Sequence, residues 1–365
     1  MLTPEFNHFL CNRDDLITRL DCIDPRRYDK TRNYLNGGVT WLSPFVTHGI
    51  LSTQQIADVV LREHKAKTCY RLLFELGWRE FFHRTWQLAG DEIFSDMRKP
   101  QSNVCSDQLP SAIVTANTGI QVVDECIENL KSDGLLHNHA RMWIAGMTCN
   151  MATTYWREPA RWLHYHLLDG DLASNTLSWQ WIAGTFSHKK YVANQANIDK
   201  YSATTQPGSW LDVPYETFDD FSPPEHMLQR CTPDYVQSLP SKPIIDLSGE
   251  VALRSVWQLD PHWLSDISQH IIFIDTEHAQ RWPMSRQRWT FIEHWATQCG
   301  AQLCHGTLQE LAKACERANV FREEYPACTL WPGKVIERSW LYPMPEQPFN
   351  SFSQYFKQVK HHVGL

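Results

Sequence analysis

No apolar run in this sequence approaches the roughly 18 residues that a membrane helix needs. The first twenty residues carry Glu5, Arg13, Asp14 and Asp15 where a signal peptide would place an apolar core. A cytoplasmic protein with no membrane partner is therefore expected. An excess of positive charge is missing too. With 34 basic and 41 acidic residues the formal charge is −7, which argues against coating nucleic acid by bulk electrostatics but leaves room for a local basic patch. The 11 cysteines are odd in number and show no paired spacing, so reduced thiols are expected. Cys299, Cys304, Cys315 and Cys328 match no metal motif and read as small buried hydrophobes. No metal is predicted, and there is neither an internal repeat nor a low-complexity segment.

What is present is a chain of 365 residues, 42% hydrophobic and 21% charged, long enough for two domains with a core each. Its 16 tryptophans are many, and each must pack, stack or carry charge. Residues 1–205 read as mostly helical. Ser52 with Gln55 has the form of a capping box. Further helices are expected from Thr68 to Leu88, from about Gly119 to Lys131 with a stop at Gly134, and from near His137 towards Tyr155. Residues 206–243 are rich in Pro, Ser, Asp and Thr, which suits a linker. Residues 244–365 then show a strand at 271–275, a helix at 288–299, a second strand at 300–306 and a helix at 307–318. That succession marks a parallel sheet. The expected fold is mostly α, a helical domain followed by a small α/β, Rossmann-like C-terminal domain.

Several segments carry more chemistry than a core requires. Glu75, Trp78, Arg79 and Phe82 share one helical face at i, i+3, i+4 and i+7. The stripe is either a surface ion pair beside a half-buried indole or the wall of a ligand pocket. Asn138, Arg141 and Met142 share another face, and Asn138 is equally suited to cap its helix. Asp169 and Asp171 flank Gly170, with Asn175, Trp179 and Trp181 close behind. Two acids so near repel unless a ribose, a ring N–H or Arg141 donates to them. A calcium loop is the rival, and its later glutamate is missing. Tyr28 precedes a Gly37-Gly-Val-Thr-Trp-Leu-Ser-Pro-Phe45 stretch in which Thr40 and Ser43 offer hydroxyls and amides to phosphate. A cap and turn explain that stretch as well.

Together these segments resemble the flavin domain of the DNA photolyase and cryptochrome family over residues 25–202. The resemblance is carried by Tyr28 before Val39-Thr-Trp-Leu-Ser-Pro44, Trp78-Arg-Glu-Phe-Phe82, Thr118-Gly119 before Val123-Asp124, and His137-Asn-His-Ala-Arg-Met142. Trp156-Arg157 and Asp169-Gly-Asp-Leu-Ala-Ser-Asn175 before Trp179-Gln-Trp181 complete it. Order and spacing together make it specific.

The resemblance implies FAD in a folded form. Tyr28, Val39, Thr40, Leu42 and Ser43 would line its phosphates and Arg79 would reach them from a neighbouring helix. Asp169 and Asp171 would hold the ribose or ring edge, Asn175 would face a flavin nitrogen, and Arg141 would pair with the acids. Glu75 and Asn138 would hydrogen-bond a flipped pyrimidine pair, Trp78 and Trp181 would stack or wedge, and Met142 would cover the ring. These positions look like those of enzymes acting on cyclobutane dimers; the other photoproduct would call for a histidine at Asn138 or Met142. The implied activity is light-driven dimer repair by electron donation from excited, reduced flavin. Damaged DNA, single-stranded in view of the acidic charge, would be the partner of a monomer, with Arg79, Lys189, Lys190 and Lys200 as candidates for a basic rim. Trp179 and Trp156 match the first two members of the family's tryptophan chain, and no third appears. The α/β domain that normally opens such proteins is expected instead in residues 244–365, permuted and shortened, with an antenna pigment left open. An unrelated tail domain is the alternative. The other functional readings are a cryptochrome-like blue-light photoreceptor without repair activity, and a flavoprotein without photochemistry.

Overall fold

The computed structural model describes residues 3–236 and 239–365. The chain divides into two compact units. One comprises the segment up to Phe6, Arg26–Val39 and Leu88–Tyr235; the other comprises Asn7–Pro25, Thr40–Gln87 and Val236–Leu365.

The first unit is helical. Gln121–Asp133 turns Val122, Val123, Cys126, Ile127 and Leu130 inward at helical spacing. It stops at Gly134, whose φ of 72° is left-handed; a Cβ there would lie 2.8 Å from Leu168 Cγ. Asn138–Gly146 follows, capped by His137, whose ring nitrogen accepts from His139 N–H. The capping role open to Asn138 therefore belongs to His137. The expected continuation to Tyr155 is cut short by a π-helical turn at Met147–Met151. Asn150 closes that turn by donating from Nδ2 to the carbonyls of Ile182 and Tyr191, and such π turns are frequent at functional sites. Arg157–His166 and Leu172–Ala183 complete the frame.

The Pro-rich stretch differs from a free spacer as far as Tyr235. Leu211 and Met227 are buried in the helical core, with Trp210, Phe218, Phe221 and Tyr235 packed against it. Trp210 Nε1 donates to Thr118 O at 2.8 Å, and strand β2 (Arg230–Cys231) pairs antiparallel with β1 (Leu109–Pro110). Enough apolar anchors stand among the prolines to tie the segment down. Residues 237 and 238 of the expected linker lie outside the described residues.

The second unit holds the parallel sheet, formed by β3 (Lys242–Pro243), β4 (Gly249–Arg254), β5 (Gln269–Asp275), β6 (Gln302–Gly306), β7 (Ala318–Glu323) and β8 (Lys334–Ile336). The strand order is β3-β6-β5-β4-β7-β8. β5, β6 and the helix Arg286–Gln298 match the pattern read from sequence. β4 and β7 do not announce themselves, because Arg254 and Arg322 interrupt their apolar runs. Arg254 is nonetheless fully buried. Its guanidinium donates to the carbonyls of Asp260 at 2.8 Å and Trp263 at 2.6 Å and to His270 Nδ1 at 3.0 Å, which offsets the cost of burying the charge. The capping box at Ser52 is present, opening Thr53–Glu63, and Ala66–Ala89 follows. Residues 7–25 and 40–87, expected within the helical domain, thus cluster with the sheet. No helix among the described residues is long and apolar enough to cross a membrane.

Candidate flavin site

In the helical unit the two acids of the 169–171 loop are satisfied separately. Asp169, 6% exposed, takes both of its oxygens to Arg141 Nη2, at 2.9 and 2.8 Å. Arg141 is held in turn by Nε donating to Leu136 O at 3.0 Å. Asp171 is the N-cap of Leu172–Ala183 and accepts from Ser174 N–H at 2.7 Å, so its charge faces the positive end of that helix. One carboxylate has a guanidinium, the other a helix terminus, and the expected repulsion is relieved without a metal. Asn175, one turn on, donates from Nδ2 to Ala160 O at 2.8 Å, which fixes its side chain.

Asn138 and Met142 lie on the neighbouring helix, the first exposed and the second half-buried. Trp181 is 38% exposed, and the backbone carbonyl that follows its side chain accepts from Ser187 Oγ at 2.7 Å, which also binds Lys189 O. The lysine-bearing loop is thereby tied to the base of an exposed indole. Lys190 Nζ reaches Ser102 O at 3.2 Å, and Lys200 sits over the Tyr201 ring at 5.0 Å.

Trp156 and Trp179 are both buried. Trp156 is held by a network that the sequence did not disclose. Its Nε1 donates to Asp96 Oδ1 at 2.7 Å, and its N–H donates to Gln101 Oε1 at 3.0 Å. Tyr155 OH also donates to Asp96 Oδ1, at 3.1 Å, and burial followed by the Asp96 charge pushes the Tyr155 phenol up. Next to Trp179, Gln180 is fully buried and joins Ile93 O, Met97 N and Thr185 Oγ1. Asp96 sits in an acidic loop, Phe94-Ser-Asp-Met97, with no pattern to single it out.

Tyr28 is half-buried on the helix Pro25–Thr31 and Val39 is half-buried beyond it. Gly37 serves packing here rather than approach of a ligand, since a Cβ would stand 1.9 Å from Thr31 O. In the second unit, Thr40 Oγ1 accepts from Leu42 N–H at 3.5 Å across Trp41, whose φ is 53°. Leu42 is buried and Ser43, exposed, begins the short helix Ser43–Thr47. Arg79 donates to Val46 O at 3.4 Å and Thr47 Oγ1 at 3.5 Å. Glu75, Trp78 and Arg79 are all half-buried on Ala66–Ala89. Trp78, expected to stack or wedge against a base, instead has one face against Phe352, with ring centroids 3.9 Å apart and planes 16° apart. That face is closed to a base. The helix also carries Glu80, missed in the sequence, which is 3% exposed. It accepts from Thr53 Oγ1, from Leu341 N at 2.7 Å and from Tyr342 N at 2.8 Å; burial pushes its carboxyl up. The expected site residues are thus shared between the two units.

Among the described residues no group of three or more His, Cys, Asp or Glu is placed to hold a metal ion. Cys299, Cys304, Cys315 and Cys328 are buried, and burial holds the thiols of Cys299 and Cys315 up at about 11.

Within the helical unit, a guanidinium–acid pair and a capped second acid make a donor and acceptor set of the kind a dinucleotide takes. Residues 72–209 match the family model described as the FAD binding domain of DNA photolyase. This part of the chain is thus similar to a flavin-binding domain of the photolyase kind, whose cofactor is FAD. The chain is similar to a deoxyribodipyrimidine photo-lyase of Streptomyces griseus, 33% identical over 160 residues that cover 43% of this chain and 35% of that protein. It is similar also to a cryptochrome DASH of Ostreococcus tauri, 30% identical over 189 residues, covering 49% and 34%. The chain spans about a third of the length of these two relatives. A solved cryptochrome of Synechocystis aligns with a TM-score of 0.46 at 25% identity, over 52% of this chain and 42% of that one.

Proposed function

We propose that the protein repairs cyclobutane pyrimidine dimers in DNA under blue light. The observation that carries the reading is Glu75, a carboxylate one helical turn before Trp78 and Arg79 in the matched domain. A light sensor has no need of an acid aimed at a base edge, whereas a repair pocket must hydrogen-bond the extruded pyrimidines. When bound, FAD supplies the excited-state electron; the residues of this chain bind, orient and shield. Arg141 with Asp169, Asp171 and Asn175 would hold the cofactor on the helical unit, as would Tyr28 and Val39. Thr40, Leu42, Ser43 and Arg79 would meet its phosphates. Asn138 would bind a base edge and Met142 would cover the ring. Stacking against the bases falls to Trp181, which is exposed and tied to the Lys189 loop. Trp156 and Trp179 would relay electrons. The parallel sheet β3–β8, following the flavin-binding residues in the chain, supports reading residues 244–365 as the family's α/β domain in permuted order.

The second reading is a cryptochrome-like photoreceptor. Closure of one Trp78 face by Phe352 favours it, because a sensor loses nothing by that contact. The deciding experiment mixes reduced, flavin-loaded protein with dimer-containing oligothymidylate in blue light. Thymine absorbance should return, and Glu75→Ala should lower the yield by about tenfold, the equivalent of one good hydrogen bond to a charged group. Absence of recovery on both single and double strands would establish the sensor instead.

A further inference from the structure

The order in which strands are added to the sheet reverses at one place. After β4 the chain moves to β5 on one side, and after β7 it moves to β8 on the other, although β4 and β7 are neighbours. The carboxyl ends of two such strands form the crevice in which open α/β sheets bind ligands. A cavity of about 80 Å³ lies there, lined by Trp257 and Gln258 beyond β4, Glu323 and Tyr325 at the end of β7, and Arg338 and Trp340. Of the expected flavin contacts, only Arg79 borders it.

The polar groups of this lining do not balance. The indole N–H groups of Trp257 and Trp340 and Nη2 of Arg338 are buried without an acceptor among the described residues. Elsewhere the Arg338 guanidinium donates from Nη1 to His83 Nδ1 at 2.9 Å, lies 3.4 Å from Glu324 Oε2 through Nε, and stacks 4.2 Å from the Trp340 ring. A guanidinium can only donate, so His83 Nδ1 is the acceptor. Of the acids nearby, Glu80 is engaged by its three donors and Glu323 by Gln258 Nε2 at 2.7 Å, while Glu324 Oε2, buried without a hydrogen bond among the described residues, meets Arg338 Nε only as an ion pair. Buried donors left over in one crevice call for a ligand that only accepts. The volume, worth about three water molecules, suits a tetrahedral oxyanion.

We propose that the crevice at the ends of β4 and β7 binds a small oxyanion of sulfate or phosphate size, seated by Arg338 and the indole N–H groups of Trp257 and Trp340. Glu323 couples the site to pH. Burial holds its carboxyl up at about 7, against the pull of Arg338 and Gln258 and with the Glu324 and Asp260 charges adding to the rise. An anion in the crevice disfavours the Glu323 carboxylate, so binding tightens as pH falls through that midpoint.

Sulfate is the probe, because its charge is constant over this range. Titration of the flavin-loaded protein, followed by calorimetry and tryptophan fluorescence, should show saturable one-to-one binding of sulfate and none of chloride at matched ionic strength. Arg338→Gln should weaken it about tenfold or more and Trp340→Phe severalfold. Affinity should be higher one unit below the Glu323 midpoint than one unit above, and Glu323→Gln should level that difference. Flavin content and photoreduction should be unchanged in Arg338→Gln and Trp340→Phe, which separates this site from the proposed repair activity. Lack of saturable sulfate binding overturns the proposal, as does undiminished binding in Trp340→Phe, a change that keeps an aromatic ring, removes the N–H and decides the matter should Arg338→Gln not fold.

Discussion

Asp96 Oδ1 accepts a 2.7 Å hydrogen bond from the buried indole of Trp156. A carboxylate at that distance stabilises positive charge on the ring and offers the N–H proton a destination. If Trp156 relays electrons to the flavin, Asp96→Asn should slow photoreduction by about tenfold, equivalent to about 1.4 kcal/mol, while the bound flavin spectrum is unchanged. Transient absorption of the tryptophan radical after a light pulse measures it; an unaltered radical yield would remove Trp156 from the path.

The Arg141 and Asp169 pair leads to a second expectation. Asp169→Asn leaves the guanidinium without its counter-charge in a setting where the acid is 6% exposed. Losing one partner of a buried pair costs about 3–5 kcal/mol, and part of that cost falls on the cofactor that the pair would face. FAD content of the purified variant should drop at least tenfold, measured by absorbance against protein concentration. Full flavin loading would assign the pair to packing alone.

Trp181→Ala tests the exposed indole. Stacking of one base is worth about 1–3 kcal/mol, so affinity for dimer-containing single-stranded DNA should fall between about fivefold and a hundredfold. Flavin content should not change. Fluorescence anisotropy with a labelled oligonucleotide reads the effect, and equal affinity would place the DNA contact elsewhere.

Glu323 predicts the pH dependence of stability. Its folded carboxyl titrates at about 7, well above the ordinary glutamate range. A raised acid holds its proton more tightly when folded, so the stability it contributes is complete below the unfolded value and is lost as pH rises towards 7. The loss is at most about 3 kcal/mol. Melting temperature should decline over that window in the native protein and should decline less in Glu323→Gln, as thermal denaturation in matched buffers will show.

Many of the helices were legible in the sequence because their cues are local. Ser52 and Gln55 cap a helix from positions three apart, and Gly134 ends one where no side chain fits. The acid loop at 169–171 was legible as a pair of charges needing donors. Its solution was not, since Arg141 is 28 residues from Asp169. β4 and β7 were hidden by Arg254 and Arg322, residues that pattern reading assigns to the surface and that here are buried. Most of their partners are backbone carbonyls in loops, and no periodicity reports those.

By itself the sequence determined which side chains are available: the Trp78-Arg-Glu run, the acids about Gly170, the helical stretches and one βα unit. These follow from spacing along a chain whose periods are set by backbone geometry. Only the tertiary structure decided that Phe352 covers Trp78, that Asp96 binds Trp156, and that a crevice with spare donors opens where β4 and β7 part. Each of these joins residues far apart in the chain, and contacts of that kind are set by how the elements pack rather than by any local preference.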